Sequence, residues 1–392
     1  MEYKEYELGE LLYYEQPTPY IVESTDYNDA YETPVLTAGK SFILGYTDEK
    51  EGIYDQLPVI IFDDFTTASQ YVNFKFKVKS SAMKILTPVT ELVLPKYIYY
   101  RIQIIQFDHS THKRYWIQQY SKIRVSIPPI PEQERIVARI EKLFSQLDAG
   151  VETLKKTKAQ LAVYRQAVLK EAFEGRLTQA FREENGLPDW KTISITQAIV
   201  QRKNALKAGP FGSALKKECY VPSGYKVYGQ EQVIANNENI GNYYIDEEKY
   251  QELISCAIAP HDILISLVGT VGKVLVLSDN CLPGIVNPRL IKVTLDEKIM
   301  MPYFFKYYFE SAYSKSLYKK KAHGATMDVL NMGMIKELPF PLCDIQEQGQ
   351  VIKEIESRLS VCDSIEQTVD TALQQAEAMR QSILKDAFEG KL

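Results

Sequence analysis

No apolar run in this sequence approaches the ~20 residues that a membrane-spanning helix needs, and a helical membrane span is therefore not expected. The N-terminal "MEYKEYELGELL" is acidic and lacks the basic and apolar regions of a secretory signal, so a cytoplasmic protein is expected. Cysteine is scarce. Cys219, Cys256, Cys281, Cys343 and Cys362 are scattered, and none falls in a CxxC pair. That spacing predicts free thiols and argues against a disulfide framework or a zinc site. With only four histidines, no metal site is expected either. The net charge of −5 excludes a uniformly basic coat but leaves room for a local basic face. What is present is ordinary globular material. The 392 residues are 45% hydrophobic and 25% charged, enough for two or three domains with cores of their own.

An internal repeat organises the chain. Shifted by 215 positions, Ile130 to Leu177 lies on Ile345 to Leu392 over 48 residues without a gap. Both copies begin with a Glu-Gln pair (Glu132-Gln133, Glu347-Gln348) and close on "LKEAFEGRL" and "LKDAFEGKL". A helix cannot absorb an insertion without rotating its faces, so two long helices of one length are predicted. Ile140, Leu147, Leu154, Leu161 and Val168 recur every seventh residue, as do Ile355, Cys362, Val369, Ala376 and Ile383. Leu143, Phe144, Val151 and Tyr164 flank the first series, and Leu359, Ile365, Leu373 and Met379 the second. This is the pattern of a coiled-coil seam. Pro131 suits a first helical turn, and Gly175 and Gly390 suit helix stops. About 42 residues give roughly 60 Å of helix.

A mixed α/β globule precedes each helix. Strands are predicted over 58–65 and 71–78 in the first, and over 225–234, 262–269 and 272–278 in the second. "PKYIYYRIQ" and "MPYFFKYYF" read as corresponding helices, and "PVLTAGKSFI" parallels "YKVYGQEQVI". The fold class is α+β: two mixed α/β globules separated by two long helices that pair as an antiparallel coiled coil, with pseudo-twofold symmetry.

Enzymatic motifs fail on spacing. "LVGTVGKV" has the Gly-Lys of a phosphate loop but lacks the earlier glycine, and Val274 stands where a hydroxyl should hold magnesium; a tight turn between strands is the better reading. "NPRL" (Asn287 to Leu290) lacks the second proline and aromatic of an amino-methyltransferase motif, so no methyl transfer by this chain is expected. Asp63 and Asp64 are adjacent on a strand and point to opposite faces, which makes no catalytic pocket. No catalytic residue is assigned.

What remains is basic, polar and aromatic, and it lies in loops. Lys75, Lys77 and Lys79 alternate on one strand face, followed by Ser80, and "HSTHKRYWIQQYSK" contains Lys113, Arg114 and Tyr115. In the second globule "LKAGPFGSALKK" carries Lys207, Gly209, Phe211, Ser213, Lys216 and Lys217, and "YKKKAHGATM" carries Lys319, Lys320, His323 and Thr326. Cations neutralise phosphates, polar side chains read base edges, and glycines permit close approach. These residues are the candidates for contact with DNA.

With these motifs in view, the chain resembles, over essentially its full length, the specificity subunit of type I restriction–modification systems. "LKAGPFGSALKK", "YKVYGQEQVI", "DILISLVGTVGKV", "GATMDVLN", the "PEQER" helix start and the twice-written "LKxAFEGxL" carry the resemblance. The first globule departs from it in lacking a GPFGS-like segment. The resemblance implies target-recognition domain 1 over 1–130, a conserved helix over 131–177, a linker over 178–190, target-recognition domain 2 over 191–344 and a second conserved helix over 345–392. It implies a non-catalytic subunit that reads a split site on double-stranded DNA, one half per globule, with the helices setting the gap. The implied partners are two methyltransferase subunits and, for cleavage, restriction/translocase subunits. No cofactor is expected in this chain; S-adenosylmethionine is expected on the methyltransferase partners. The negative charge is expected on the helices, where basic partner surfaces would dock. The competing reading is a scaffold that presents two protein-binding modules on a coiled coil; a self-contained nuclease or methyltransferase ranks below it.

Overall fold

The computed structural model describes residues 3–39, 41–108, 114–211, 214–321 and 330–392, without the side chains of 319–321. It resolves into two units, Met1–Lys155 with Asp370–Leu392, and Lys156–Val369. In the first unit nine short strands are β1 Lys4–Glu7, β2 Leu12–Glu15, β3 Thr33–Leu36, β4 Ile43–Thr47, β5 Val59–Asp63, β6 Ser69–Val72, β7 Lys77–Val78, β8 Met83–Pro88 and β9 Arg124–Ile127. They form sheets ordered β2-β8-β5-β6 and β4-β3-β7 and a β1-β9 ribbon. Helix α1 is Leu8–Leu11, α2 is Pro95–Ile102 and α3 is Ile130–Phe173. α2 is the helix expected from "PKYIYYRIQ"; Pro95 at its start loses no hydrogen bond there.

The second unit repeats the plan. Its strands are β10 Lys191–Ser194, β11 Leu206–Ala208, β12 Tyr225–Tyr228, β13 Tyr244–Ile245, β14 Ile263–Ser266, β15 Val274–Val276, β16 Gly284–Val286, β17 Leu290–Val293 and β18 Pro339–Leu342. Their orders are β11-β17-β14-β15, β13-β12-β16 and β10-β18. Adding nine to every strand number of the first unit therefore yields the second. Strand directions agree as well: β3 with β7 and β12 with β16 are parallel, and every other paired neighbour is antiparallel. Its helices are α4 Gln179–Glu184, α5 Gln230–Ala235, α6 Glu247–Glu252, α7 Pro302–Glu310, α8 Ala312–Lys321 and α9 Met332–Lys336, and the chain closes with α10 Ile345–Phe388.

Three local expectations are corrected. The strand expected over 71–78 breaks after Val72 and resumes at Lys77 in the other sheet. The strand expected over 225–234 stops at Tyr228, because the Gln232 side chain accepts the Gly229 N–H (2.8 Å) and starts α5. The expected linker 178–190 contains α4, held down by its own residues. Thr178 Oγ1 donates to Glu347 Oε1 (2.6 Å), and Arg182 pairs with the same buried carboxylate at 3.1 Å.

The paired helices are antiparallel within each unit. In the first, Arg380 of α10 pairs with Asp148 of α3 and lies 4.4 Å over the Phe144 ring. In the second, Arg165 of α3 pairs with Asp363 of α10 at 2.6 Å and with Glu366 at 3.1 Å. Asp148 and Asp363 are repeat equivalents, as are Arg165 and Arg380, so one ion pair is written twice with the helices exchanged. Both pairs face solvent; they contribute register more than free energy. Ile140, Leu161, Val168, Ile355, Cys362 and Val369 are buried, while Leu147, Leu154, Ala376 and Ile383 are half-buried. Tyr164, Ile365 and Met379, expected on the same face, are exposed, because a 3.6-residue turn drifts away from a strict heptad. The helices are not uniformly acidic. α3 has eight basic and six acidic residues and α10 four and eight, so the charge complements the pairing, and the acidity expected of both helices belongs to α10. Gly175 and Gly390 both stand at φ +72°, where a Cβ is strained, and close the two helices with three equivalent backbone bonds.

Each helix start is tied to its own globule by a buried glutamine. Gln133 Nε2 donates to Leu92 O (3.0 Å) and Pro128 O (2.9 Å), and its Oε1 accepts Leu94 N–H (2.8 Å). Gln348 repeats this with Ile299 O (2.9 Å), Cys343 O (3.0 Å) and Met301 N–H (2.9 Å). Leu94 and Met301 cap α2 and α7, so one amide fixes two helix starts together. Apolar packing then closes the cores. Ile136, Val137, Ile140 and Phe144 of α3, with Leu384 and Ala387 of α10, join the first core. Leu169 and Ala172 of α3, with Val351 and Ile355 of α10, join the second.

Buried lysines brace both units. Lys84 lies 3.3 Å from Asp64 with neither side chain exposed beyond 1%, and donates to Gln16 Oε1. Lys292 approaches Asp262 at 3.8 Å and donates to Ala257 O. Burial pushes the Asp262 carboxyl up and the Lys292 amine down. Such a pair matters chiefly because losing one member strands the other, at ~3–5 kcal/mol. At the solvent side of the same sheet, His261 Nδ1 meets Glu297 (2.7 Å) and Nε2 meets Asp279 (2.9 Å). The Glu297 hydrogen bond leads in raising the imidazole above its ordinary 6.5, with Asp279 assisting against partial desolvation. Among the described residues no helix is long and apolar enough to cross a membrane.

Two outcomes are expected. Gln348→Leu leaves one buried carbonyl, one part-buried carbonyl and a part-buried N–H without their amide partner and should lower stability by about 3 kcal/mol in urea unfolding; Gln133→Leu should cost a similar amount. A raised histidine pKa contributes stability that is complete below the unfolded value of 6.5 and lost as pH rises through the folded value. The thermal midpoint should therefore fall as pH rises above 6.5, and His261→Gln should flatten that slope.

Candidate nucleic-acid interface

In the second unit the strand ends of the two sheets enclose a cleft of about 480 Å³. Its floor is the turn from β16 to β17, Asn287-Pro288-Arg289. Asn287 N–H donates to Tyr228 O (2.9 Å), Asn287 O accepts Leu290 N–H (3.2 Å), and Asn287 Oδ1 accepts Arg289 N–H (2.9 Å). Gly209, at the end of β11, packs against this turn so closely that a Cβ would stand 1.9 Å from Asn287 O. That contact requires the first glycine of "GPFGS"; Pro210 after it is buried, and Phe211 is 80% exposed. Tyr220 and Tyr243 form one wall, their ring centroids 4.9 Å apart. Burial, then the neighbouring Tyr243, raises the Tyr220 phenol, which stays a neutral donor. Gln230 lines the cleft and donates to Val268 O.

The predicted residues divide accordingly. Phe211, Lys216 and Lys217 are exposed, Lys207 is half-buried on β11, and Gly209 is a buried structural contact. Ser213, His323 and Thr326 lie outside the described residues, as do the side chains of Lys319 and Lys320. The sequence reading passed over Arg289, Gln230, Tyr220 and Tyr243. In the sequence "NPRL" reads only as an incomplete methyltransferase motif, and Gln230 falls inside an expected strand. The available signal was an Asn-Pro turn between two apolar strands.

In the first unit the topologically equivalent turn, from β7 to β8, is Lys79-Ser80-Ser81-Ala82. Lys79 N–H donates to Leu36 O (3.1 Å), as Asn287 does to Tyr228, and Ser80 Oγ accepts Ala82 N–H (3.4 Å). Lys79 is exposed and Ser80 half-buried. Lys75 is exposed and lies 3.6 Å from Asp55. Lys77 is not on their face. It is 4% exposed, pairs with Glu49 at 2.8 Å and donates to Glu51 O (2.7 Å). Burial opposes ionisation of Glu49, but Lys77 and two backbone N–H groups outweigh it and hold the carboxyl below its ordinary value. Lys77 is thus a core brace, placed there because it lies inside the parallel β3-β7 pairing. Tyr115 is also buried, at 1% exposure, with its ring 4.8 Å from Phe107. Asp64 accepts Tyr115 N–H on its carbonyl (2.9 Å) and Trp116 N–H on Oδ1 (2.8 Å), which fixes the exposed Arg114 beside them. Lys113 lies outside the described residues. Asp63 Oδ1 accepts the N–H groups of Phe65 and Thr66, so both acids of "FDDF" serve the backbone.

Each unit thus presents, at the same point of one duplicated topology, a polar turn of different chemistry with cations around it. Comparison with known proteins bears on what this arrangement is for. The family model of the type I restriction modification DNA specificity domain matches residues 1–161 and again residues 211–375. The EcoR124I/EcoR124II type I restriction enzyme specificity subunit of Escherichia coli is 32% identical over 376 residues, covering 91% of this chain and 87% of that protein. The StySPI specificity subunit of Salmonella potsdam is 26% identical and covers 70% of this chain and 58% of its own length. Two solved structures share the fold at 14% identity. One is a chain from a study of complex assembly and conformational transition of the type I R-M system (TM-score 0.69, covering 100% of this chain and 98% of that one). The other is the HsdS subunit of Thermoanaerobacter tengcongensis (TM-score 0.51, covering 100% and 97%). By the double match to the family model and the identity across nearly its whole length, this chain belongs to the type I restriction–modification DNA specificity family.

Proposed function

We propose that this chain is the sequence-specific DNA-recognition subunit of a type I restriction–modification complex, and that each unit reads one half of a split site on double-stranded DNA. One observation carries the division into halves: the nine-strand topology is written twice, while the turns it presents differ. A single reader duplicated for two different half-sites requires that combination. The paired helices then set the gap between the half-sites. The chain supplies recognition and no chemistry.

The helices also offer a place for partners. In the first unit Leu147, Val151, Leu154, Ala372, Ala376 and Met379 line an apolar groove of about 390 Å³ along the helix pair. Methyltransferase subunits docking on the helix pair would cover such a groove, and S-adenosylmethionine would be bound by those subunits. Restriction/translocase subunits would complete the complex for cleavage. A net charge of −5 is compatible with this division of labour, since partner subunits can supply cations around the duplex.

Mapping methylated positions in the host genome tests the reading. A split motif with an unspecified central gap is expected, and exchanging residues 1–130 for those of a relative should alter one half only. Adding four residues to both helices lengthens each by ~6 Å and should widen the gap by roughly two base pairs. A continuous motif, or a gap unmoved by the insertion, would refute the proposal. A scaffold for proteins would show no DNA affinity that falls steeply with rising salt.

A further inference from the structure

We propose that Arg289 is a specificity-determining residue of the second unit, reading a guanine edge in the major groove; the assignment rests on the DNA-recognition function proposed above. Three observations lead to it. Arg289 is exposed, and among the described residues its guanidinium has no carboxylate partner, although Glu231 lines the same cleft. A long cation left unpaired in a polar cleft is available to a ligand.

The second observation is rigidity. The turn that carries Arg289 is held by three hydrogen bonds through Asn287 and by the backbone contact at Gly209. A phosphate contact tolerates a loosely placed cation, as the exposed Lys216 and Lys217 could supply. A base contact calls for a closely placed donor, and here the backbone from which Arg289 projects is fixed while its guanidinium stays open to a ligand. The guanidinium fork matches the O6 and N7 acceptors of guanine, the commonest specific pairing in the major groove.

Third, the turn is one of the places at which the two units differ within their shared topology. Where the second unit has Asn287-Pro288-Arg289, the first has Lys79-Ser80-Ser81-Ala82 between the equivalent strands. The scaffold around the turn is common to both units and its side chains are not. Discrimination between half-sites belongs at such a place.

The test uses the full chain reconstituted with its methyltransferase, comparing wild type with Arg289→Ala and Arg289→Gln on duplexes varied one base pair at a time. Arg289→Ala should erase the preference at one guanine of one half-site, a loss of roughly tenfold in discrimination, and leave the other half unchanged. The slope of log affinity against log salt should stay as in wild type. Affinity reduced equally on all sequences, with the slope shallower by about 0.9, would make Arg289 a phosphate contact and overturn the assignment. An unchanged motif with unchanged affinity would overturn it too. Should Arg289→Ala fail to give a cooperative melt, Arg289→Gln, which keeps side-chain length, is held to the same two criteria. A wild-type complex without sequence preference would sink the functional reading and this assignment together, whereas a specific wild type whose motif survives both substitutions would sink this assignment alone.

Discussion

The register between α3 and α10 constrains the rest of the molecule. Each unit takes part of its core from both helices, with Phe144 and Leu384 in the first core and Leu169 and Ile355 in the second. A single inserted residue in either helix would rotate all later side chains by about 100°. Seam and core residues would then point to solvent. This is why the repeat runs without a gap from Ile130 to Leu177, although the globules on either side have diverged. The Asp148–Arg380 and Arg165–Asp363 pairs are the visible mark of that register.

The glutamine clamps connect this register to the globules. Gln133 and Gln348 sit in the first turns of the long helices and satisfy backbone groups on both sides of the preceding loop. Any reorientation of a helix start is therefore passed to α2 or α7, and from there to the sheets. The Glu-Gln repetition was plain in the sequence as a motif, but its purpose was not. Nothing in a residue's spacing says which carbonyls will be orphaned two loops away. Glu132 and Glu347 make the same point from the other side. They are repeat equivalents, yet Glu132 pairs with Arg135 on the surface while Glu347 is buried under Thr178 and Arg182.

The readings that failed share a cause. Lys77 and Tyr115 are expected at a surface because lysines and tyrosines usually reach one. Both are buried because strands distant in sequence close over them, and each finds a partner there. The expected strand at 225–234 had strand composition, but a single side-chain-to-backbone bond from Gln232 decided its second half. Arg289 was overlooked for the reverse reason. A lone arginine after Asn-Pro carries no pattern, and it gains meaning only when Gly209, at the end of β11, packs on its turn and Tyr220 lines the same cleft.

The two equal helices, their caps and the duplicated plan were legible along the chain, because helical period and gapless length are local, additive properties. The absence of phosphate-loop and methyltransferase spacing was legible there too. Which cations stay on the surface, and which turn holds an exposed arginine on a hydrogen-bonded backbone, depended on contacts between residues tens of positions apart. Burial and hydrogen-bond satisfaction are properties of the assembled core, so only the tertiary structure could decide them.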